Sequence, residues 1–281
     1  MESLLSDQFN TLGHPRRLAL FRLLMRRYPD ALPAGEIARV LDLKPNTASV
    51  YLSALKDARL IAARREGTSL LYAIDMEGTR ALTQGLFDDC CRGRPDLCLP
   101  EAPEAPAPME DIMTDKRYSV LFICTGNSAR SIFAESILRA EAGGKFIAYS
   151  AGVAPSSEIN PFALELLRSK GHDTAPLRAK NIAEFQGEDA PHLDFVFTVC
   201  DQAANEECPP WLGQPITAHW GMPDPVKAIG TDAEKRLAFQ QAFGSLRNRV
   251  RAFAALPIAA LDKVALQHEI DAIGRDDTVD A

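Results

Sequence analysis

Cys124 and Arg130 bracket a five-residue stretch, Thr125-Gly126-Asn127-Ser128-Ala129, and Ser131 follows at once. A thiol, a glycine-containing loop and a guanidinium at Cys-x5-Arg spacing suit attack on a tetrahedral oxyanion. Successive backbone N–H groups of such a loop form an anion nest. The N-terminus of a following helix adds positive potential, and arginine supplies a planar two-pronged donor. The same field is expected to hold Cys124 as thiolate, the nucleophilic form. The flanks say how the loop is positioned. Val120, Leu121, Phe122 and Ile123 are consecutive apolar residues, which reads as a buried parallel strand. Ile132, Phe133, Ala134, Ile137 and Leu138 recur with helical spacing. A buried structural cysteine at a strand end is the alternative, and it accounts for neither the glycine nor the arginine.

Two other stretches of the C-terminal half carry chemistry. The strand pattern Asp194–Val199 ends on Cys200, and Cys208 lies eight residues further on, before a Pro-Pro pair. His219-Trp220-Gly221-Met222-Pro223-Asp224-Pro225 sets an aspartate between two prolines, a rigid loop able to hold a carboxyl group over the nest as a proton donor. Around these residues strands and helices alternate: 119–123, a helix over 130–142, 146–150, a helix over 160–170, 194–199, a loop, 216–220, and a helix over 232–255. One more amphipathic helix is expected over 258–274. The alternation predicts an α/β unit with a parallel sheet covered on both faces. In such sheets ligands bind at the carboxyl ends of the strands, where Cys124 falls.

At 281 residues the chain has room for two cores, and its composition is that of a folded soluble protein, 46% hydrophobic and 25% charged. The net charge of −7 is unevenly spread: residues 1–98 hold 14 Lys and Arg against 12 Asp and Glu, the remainder 17 against 26. A nucleic-acid partner is therefore expected for the first part only. Residues 99–115, LPEAPEAPAPMEDIMTD, read as an extended spacer between two domains, 1–98 and 116–281. The N-terminus lacks the basic and apolar regions of a secretory signal, and no stretch reaches the ~18 apolar residues of a membrane span. A cytoplasmic protein without membrane contact is expected, so its six cysteines read as metal ligands or reactive thiols before disulfides.

Residues 3–27 read as helices broken at Gly13-His14-Pro15, followed by a short helix over 34–43 and, after Lys44-Pro45, a second from Asn46. In the second helix Ala48, Leu52 and Leu55 face a core, leaving Asn46, Thr47, Ser49, Tyr51 and Ser53 outward: a helix-turn-helix pattern. A hairpin turning at Glu66-Gly67-Thr68, with Arg64 and Arg65 near its tip, follows as a wing placed to touch phosphates. An ordinary helical bundle with a hairpin is the alternative. Beyond it come Cys90, Cys91 and Cys98. Three thiolates suit a soft, thiophilic ion. Structural zinc would need a fourth ligand, and no histidine lies nearby; free surface thiols are the remaining reading.

Two resemblances gather these observations. Residues 4–98 resemble the ArsR-type arsenic-sensing winged-helix repressors. This implies a homodimer through the N-terminal domain on palindromic operator DNA, contacted by Lys44, Asn46, Thr47, Ser49, Tyr51, Arg64 and Arg65. The first helix of the helix-turn-helix lacks the cysteine pair of many members; Cys90, Cys91 and Cys98 match a subgroup that binds arsenite as effector. Residues 117–255 resemble the arsenate reductases with the low-molecular-weight-phosphatase fold. The resemblance implies a four-stranded parallel sheet, with Cys124 as nucleophile, Arg130 as oxyanion clamp, Asn127 and Ser131 organising the loop and Asp224 as acid. It further implies Cys200 and Cys208 as relay cysteines, and thioredoxin or a low-molecular-weight thiol system as reductant, with no bound redox cofactor. Some such reductases hold potassium near the loop. Asn127, Glu135 and Ser150 match part of that site, but Leu177-Arg178-Ala179-Lys180 offers cations, so the Lys180 ammonium is expected in place of the ion. The whole reads as an arsenite-responsive repressor fused to an arsenate reductase. A protein tyrosine phosphatase fused to a regulator is the first alternative, weakened by the relay cysteines and by Val226-Lys227 where phosphatases carry tyrosines. A regulator with an inactive appended domain is the second.

Overall fold

Proline and glycine punctuate the first helices where the sequence places them. In the computed structural model, which describes residues 2–90, 117–187, 189–206, 211 and 213–275, α1 (Glu2–Leu12) and α2 (Pro15–Arg27) flank the Gly13-His14 break. The chain divides into two compact units, Met1–Ile112 and Met113–Ala281. The expected spacer, like Cys91, Cys98 and Cys208, lies outside the described residues.

In the first unit α3 (Ala34–Val40) and α4 (Pro45–Asp57) form the helix-turn-helix. Strands β2 (Ile61–Glu66) and β3 (Ser69–Ile74) pair antiparallel around Gly67, whose φ of +59° suits a residue without Cβ. A two-residue strand β1 (Leu32–Pro33), absent from the sequence reading, pairs with β3 and completes a sheet of order β1-β3-β2. Two residues are too few to show a period. Leu20, Leu23 and Leu24 of α2 pack with Ile37, Leu52, Leu55 and Ile61 in one core. Gln8 Nε2 ties α1 to the rest through the carbonyls of Ala58 and Gly78, at 3.1 and 3.3 Å. Helix α5 (Met76–Gly85), capped by Asp75, leads to a wider helical turn ending at Cys90.

The second unit is built on a four-stranded parallel sheet of order β5-β4-β6-β7. Its strands are β4 (Tyr118–Cys124), β5 (Phe146–Gly152), β6 (Phe195–Thr198) and β7 (Ile216–His219). The central strand β4 is buried on both faces from Val120 to Cys124, which explains its unbroken apolar run. Helix α6 (Arg130–Ala142) follows the loop, then α7 (Pro161–Ser169), the short α8 (Asp201–Asn205), and α9 (Asp232–Ala255), whose N-terminus carries a Thr231–Glu234 capping box. Helix α8 was expected as loop; its five residues are capped by the Cys200 sulfur, which accepts from the Ala203 amide at 3.4 Å. The single helix expected over 258–274 is instead a 3-10 turn, Ile258–Ala260, and a separate α10 (Lys263–Arg275) capped by Asp262. The break re-aims the chain so that Leu266 and Ile270 enter the core. Among the described residues no helix is long and apolar enough to cross a membrane.

Candidate active site

The loop from Cys124 to Arg130 leaves the carboxyl end of β4 and closes on the N-terminus of α6. Asn127 turns it with φ of +44°, a left-handed conformation that asparagine tolerates better than most residues. Its amide donates to Cys124 Sγ at 3.1 Å, and Ser131 Oγ lies 3.0 Å from the same sulfur. The main chain behind the loop is stitched to the neighbouring segment. The carbonyls of Cys124, Thr125, Gly126 and Ser128 accept from the amides of Val153, Ala154, Ser156 and Asn160 at 2.8–3.1 Å. Gly152 permits that approach, because a Cβ there would stand 2.6 Å from the Thr125 carbonyl.

A buried polar chain sets the loop's shape from below. Asn127 Nδ2 donates to Ser131 Oγ at 2.8 Å and to Ser150 Oγ at 2.9 Å, and Ser150 Oγ donates to Glu135. Asn127 Oδ1 accepts from the Lys180 amide at 2.7 Å. The Lys180 ammonium stands 2.9 Å from Glu135 Oε2, and Arg139 holds the other carboxylate oxygen at 2.6 Å. A carboxylate and an ammonium thus balance in the interior, where either alone would be costly.

Arg130 is 8% exposed. Its Nη2 pairs with Asp224 Oδ2 at 2.9 Å and its Nη1 donates to the Met222 carbonyl at 3.2 Å. The clamp and the acid, 94 positions apart in sequence, are thus brought together. Asp224 also caps the short turn Pro225–Lys227 through the Val226 amide, which fixes its main chain. Cys200 is buried at the end of β6, and Thr125 Oγ1 lies 3.4 Å from its sulfur, linking the second thiol to the loop. Both Cys124 and Cys200 are free thiols.

The surroundings of Cys124 act on its ionisation in both directions. Burial pushes this thiol up from its ordinary value, and Cys200 adds to the rise; Ser131 and Arg130 pull the other way without prevailing. The sequence shows the arginine and the loop but not that the residue is 2% exposed.

In the first unit Lys44, which precedes α4, and Asn46 and Ser49 on it are exposed, as are Arg64 and Arg65 on the wing. Thr47 and Tyr51 are half-buried, and the Tyr51 ring lies 5.0 Å from that of His14, so Tyr51 packs against the core more than the outward reading implied. Val50, passed over in the sequence because it is apolar, is 65% exposed on this helix. Cys90 is exposed. Met222 was also unforeseen, since it acts through a main-chain carbonyl that no residue type betrays.

The family model for low molecular weight phosphotyrosine protein phosphatase matches residues 119–267, and a helix-turn-helix domain model matches residues 12–64. An arsenate reductase of Bacillus licheniformis is 34% identical over 137 residues, covering 48% of this chain and 94% of that protein. A solved arsenate reductase in the phosphate binding state is 27% identical, with a TM-score of 0.41 over 49% of this chain and 97% of that one. The homodimeric winged helix-turn-helix DNA-binding domain of a possible ArsR-family regulator from Mycobacterium bovis is 30% identical, with a TM-score of 0.26 over 33% of this chain and 85% of that one. With a cysteine-arginine loop closed on α6, a docked aspartate and a match over more than half its length, the chain belongs to the low molecular weight phosphotyrosine protein phosphatase family, preceded by a helix-turn-helix domain.

Proposed function

We propose that the second unit reduces arsenate to arsenite and that the first is an arsenite-responsive repressor on the same chain. The observation that carries the reductase reading is the second buried thiol, Cys200, held against the nucleophile loop through Thr125. Hydrolysis of a phosphate ester needs one thiol; reduction needs two electrons and hence two. The identity above 30% to arsenate reductases over almost their whole length supports the same substrate.

The chemistry follows from the geometry. A neutral thiol with an arsenate dianion carries the same charge as a thiolate with the monoanion, so a buried Cys124 gives its proton up as substrate enters. Arg130 turns from the Asp224 carboxylate to the oxyanion. The proton from Cys124 passes through the substrate to the Asp224 carboxylate that Arg130 has released; the sulfur attacks arsenic, an arsenic–oxygen bond breaks, and Asp224 returns that proton to the departing oxygen, which leaves as water. The Cys200 thiolate then attacks the Cys124 sulfur. The sulfur–arsenic bond breaks with its electron pair on arsenic, which becomes arsenite, and a Cys124–Cys200 disulfide remains. Cys208 attacks Cys200 in turn, freeing Cys124, and an external dithiol, thioredoxin or a low-molecular-weight thiol system, reduces the Cys200–Cys208 bridge. The Lys180 ammonium supplies the positive charge beneath the loop. Glu135 Oε2 already accepts from the Lys180 ammonium and from Ser150, a donor set that does not fit potassium.

For the first unit, the exposed Asn46 and Ser49 of α4, Lys44 just before it and the arginines of the wing support an operator-binding homodimer. Cys90, Cys91 and Cys98 would capture arsenite, the soft product of the reductase. Purified protein with thioredoxin and its reductase tests the enzymatic reading. Arsenite should form from arsenate at a rate well above aryl-phosphate hydrolysis. Phosphate release without arsenite would make the unit a phosphatase.

A further inference from the structure

The strand that delivers Asp224 is gripped by elements far from the thiols. β7 ends at His219, and Trp220-Gly221-Met222-Pro223 carries the chain on to the acid. Trp220 is fully buried and stacks on Phe197 with ring centroids 4.1 Å apart. Its indole N–H donates to the main-chain carbonyl of Ile270, in α10, at 3.2 Å. Helix α10 touches the strand and its approach twice more: Gln267 Nε2 donates to the Thr217 carbonyl at 2.9 Å, and Lys263 Nζ to that of Gln214 at 3.0 Å. Near its end Gly274 lies so close that a Cβ would stand 2.7 Å from the His219 carbonyl and 2.8 Å from Trp220 Cδ1. From the other side Arg249 of α9 donates to the carbonyls of Trp220 and Gly221 at 3.2 and 3.0 Å. Ile270 and Gly274 fall outside residues 119–267, the span that matches the family.

We propose that α10 is a positioning strut for the acid, acting through Trp220 and Gly274 to fix where Asp224 stands against Arg130. This rests on the reading of Asp224 as the proton donor. The path is short and stiff. The Trp220 ring is wedged between Phe197 and α10, and the prolines on either side of Asp224, Pro223 and Pro225, have a ring-locked φ. A shift of the 219–220 main chain therefore passes to the carboxyl group with little absorbed between. The Trp220 donor, buried without α10's carbonyl, would also lack its partner. Trp220 and Gly274 touch no reacting atom; they are positioning residues.

The test is a double-mutant cycle in the full chain, with the single-turnover rate of arsenite formation as readout. Gly274→Ala must displace main chain or the Trp220 ring, and a general acid is worth about 10²–10⁴ in rate. The variant should lose about tenfold of that factor, with the KM for arsenate changed less than about twofold. In an Asp224→Asn background the same substitution should cost less than about twofold, because the group it positions is gone. Trp220→Phe keeps a ring and removes the donor; it should show the same non-additivity and serves if Gly274→Ala fails to fold. Equal losses with and without Asp224 would overturn the proposal, as would an undiminished rate in Gly274→Ala and Trp220→Phe. If wild type hydrolyses aryl phosphate but leaves arsenate unreduced, the substrate reading fails alone, and the cycle decides the strut with aryl phosphate.

Discussion

Replacing Lys180 by methionine removes a cation from beneath the catalytic loop while keeping most of its volume. The ammonium is 2.9 Å from Glu135 Oε2, with the two side chains 8% and 2% exposed. Removing one partner of such a pair costs about 3–5 kcal/mol, since the other charge stays buried. Glu135 keeps Arg139 and Ser150, so the lower end, about 3 kcal/mol, applies. At roughly 2–4 °C per kcal/mol for a domain of this size, the melting temperature should fall by about 6–12 °C. Both tryptophans of the chain, Trp211 and Trp220, lie in the second unit, so their fluorescence follows its unfolding selectively. The Lys180 amide still holds Asn127, so arsenate turnover should persist with a raised KM. Neutralising the stranded carboxylate with Glu135→Gln should recover most of the loss in the double variant. In Lys180→Ala, which leaves room for an ion, potassium chloride should restore stability that choline chloride does not. A Lys180→Met midpoint within about 2 °C of wild type, or a double variant no better than the single, would refute the charge argument.

Four other outcomes are expected. Cys208→Ser should complete about one turnover and stall as a Cys124–Cys200 disulfide visible by mass spectrometry, whereas Cys124→Ser should produce no arsenite; steady turnover of Cys208→Ser with thioredoxin alone would contradict the relay. Because burial raises the Cys124 thiol, its alkylation should be slow near neutrality and accelerate as pH rises past the ordinary thiol range. Ser131→Ala, which removes a lowering hydrogen bond, should move that curve to still higher pH; a curve centred below neutrality would show a resident thiolate. Operator binding should weaken with salt as the cations of the first unit release counterions. Arsenite should free DNA from wild type and from Cys124→Ser, arsenate only from wild type after a lag, and neither from Cys90→Ser. Arsenate release from Cys124→Ser without another reductase would break the proposed division of labour.

The sequence alone determined what depends on neighbours along the chain. Four consecutive apolar residues at Val120–Ile123 suit a strand buried on both faces, and glycine and arginine at fixed offsets from Cys124 define a loop closed on a helix. The helix-turn-helix was legible for the same reason, through proline at Pro45 and a 3.6-residue period after it. Elements too short to show a period, β1 and α8, were not legible, and the break before α10 reflects where Ile270 finds a core rather than any local breaker. Only the tertiary structure decided the pairing of Arg130 with Asp224 and of the Trp220 indole with a carbonyl on α10. It also decided how far burial works against ionisation of Cys124. A sequence displays the charges around a thiol, but desolvation depends on how completely distant segments enclose it, and here they bury Cys124 almost entirely.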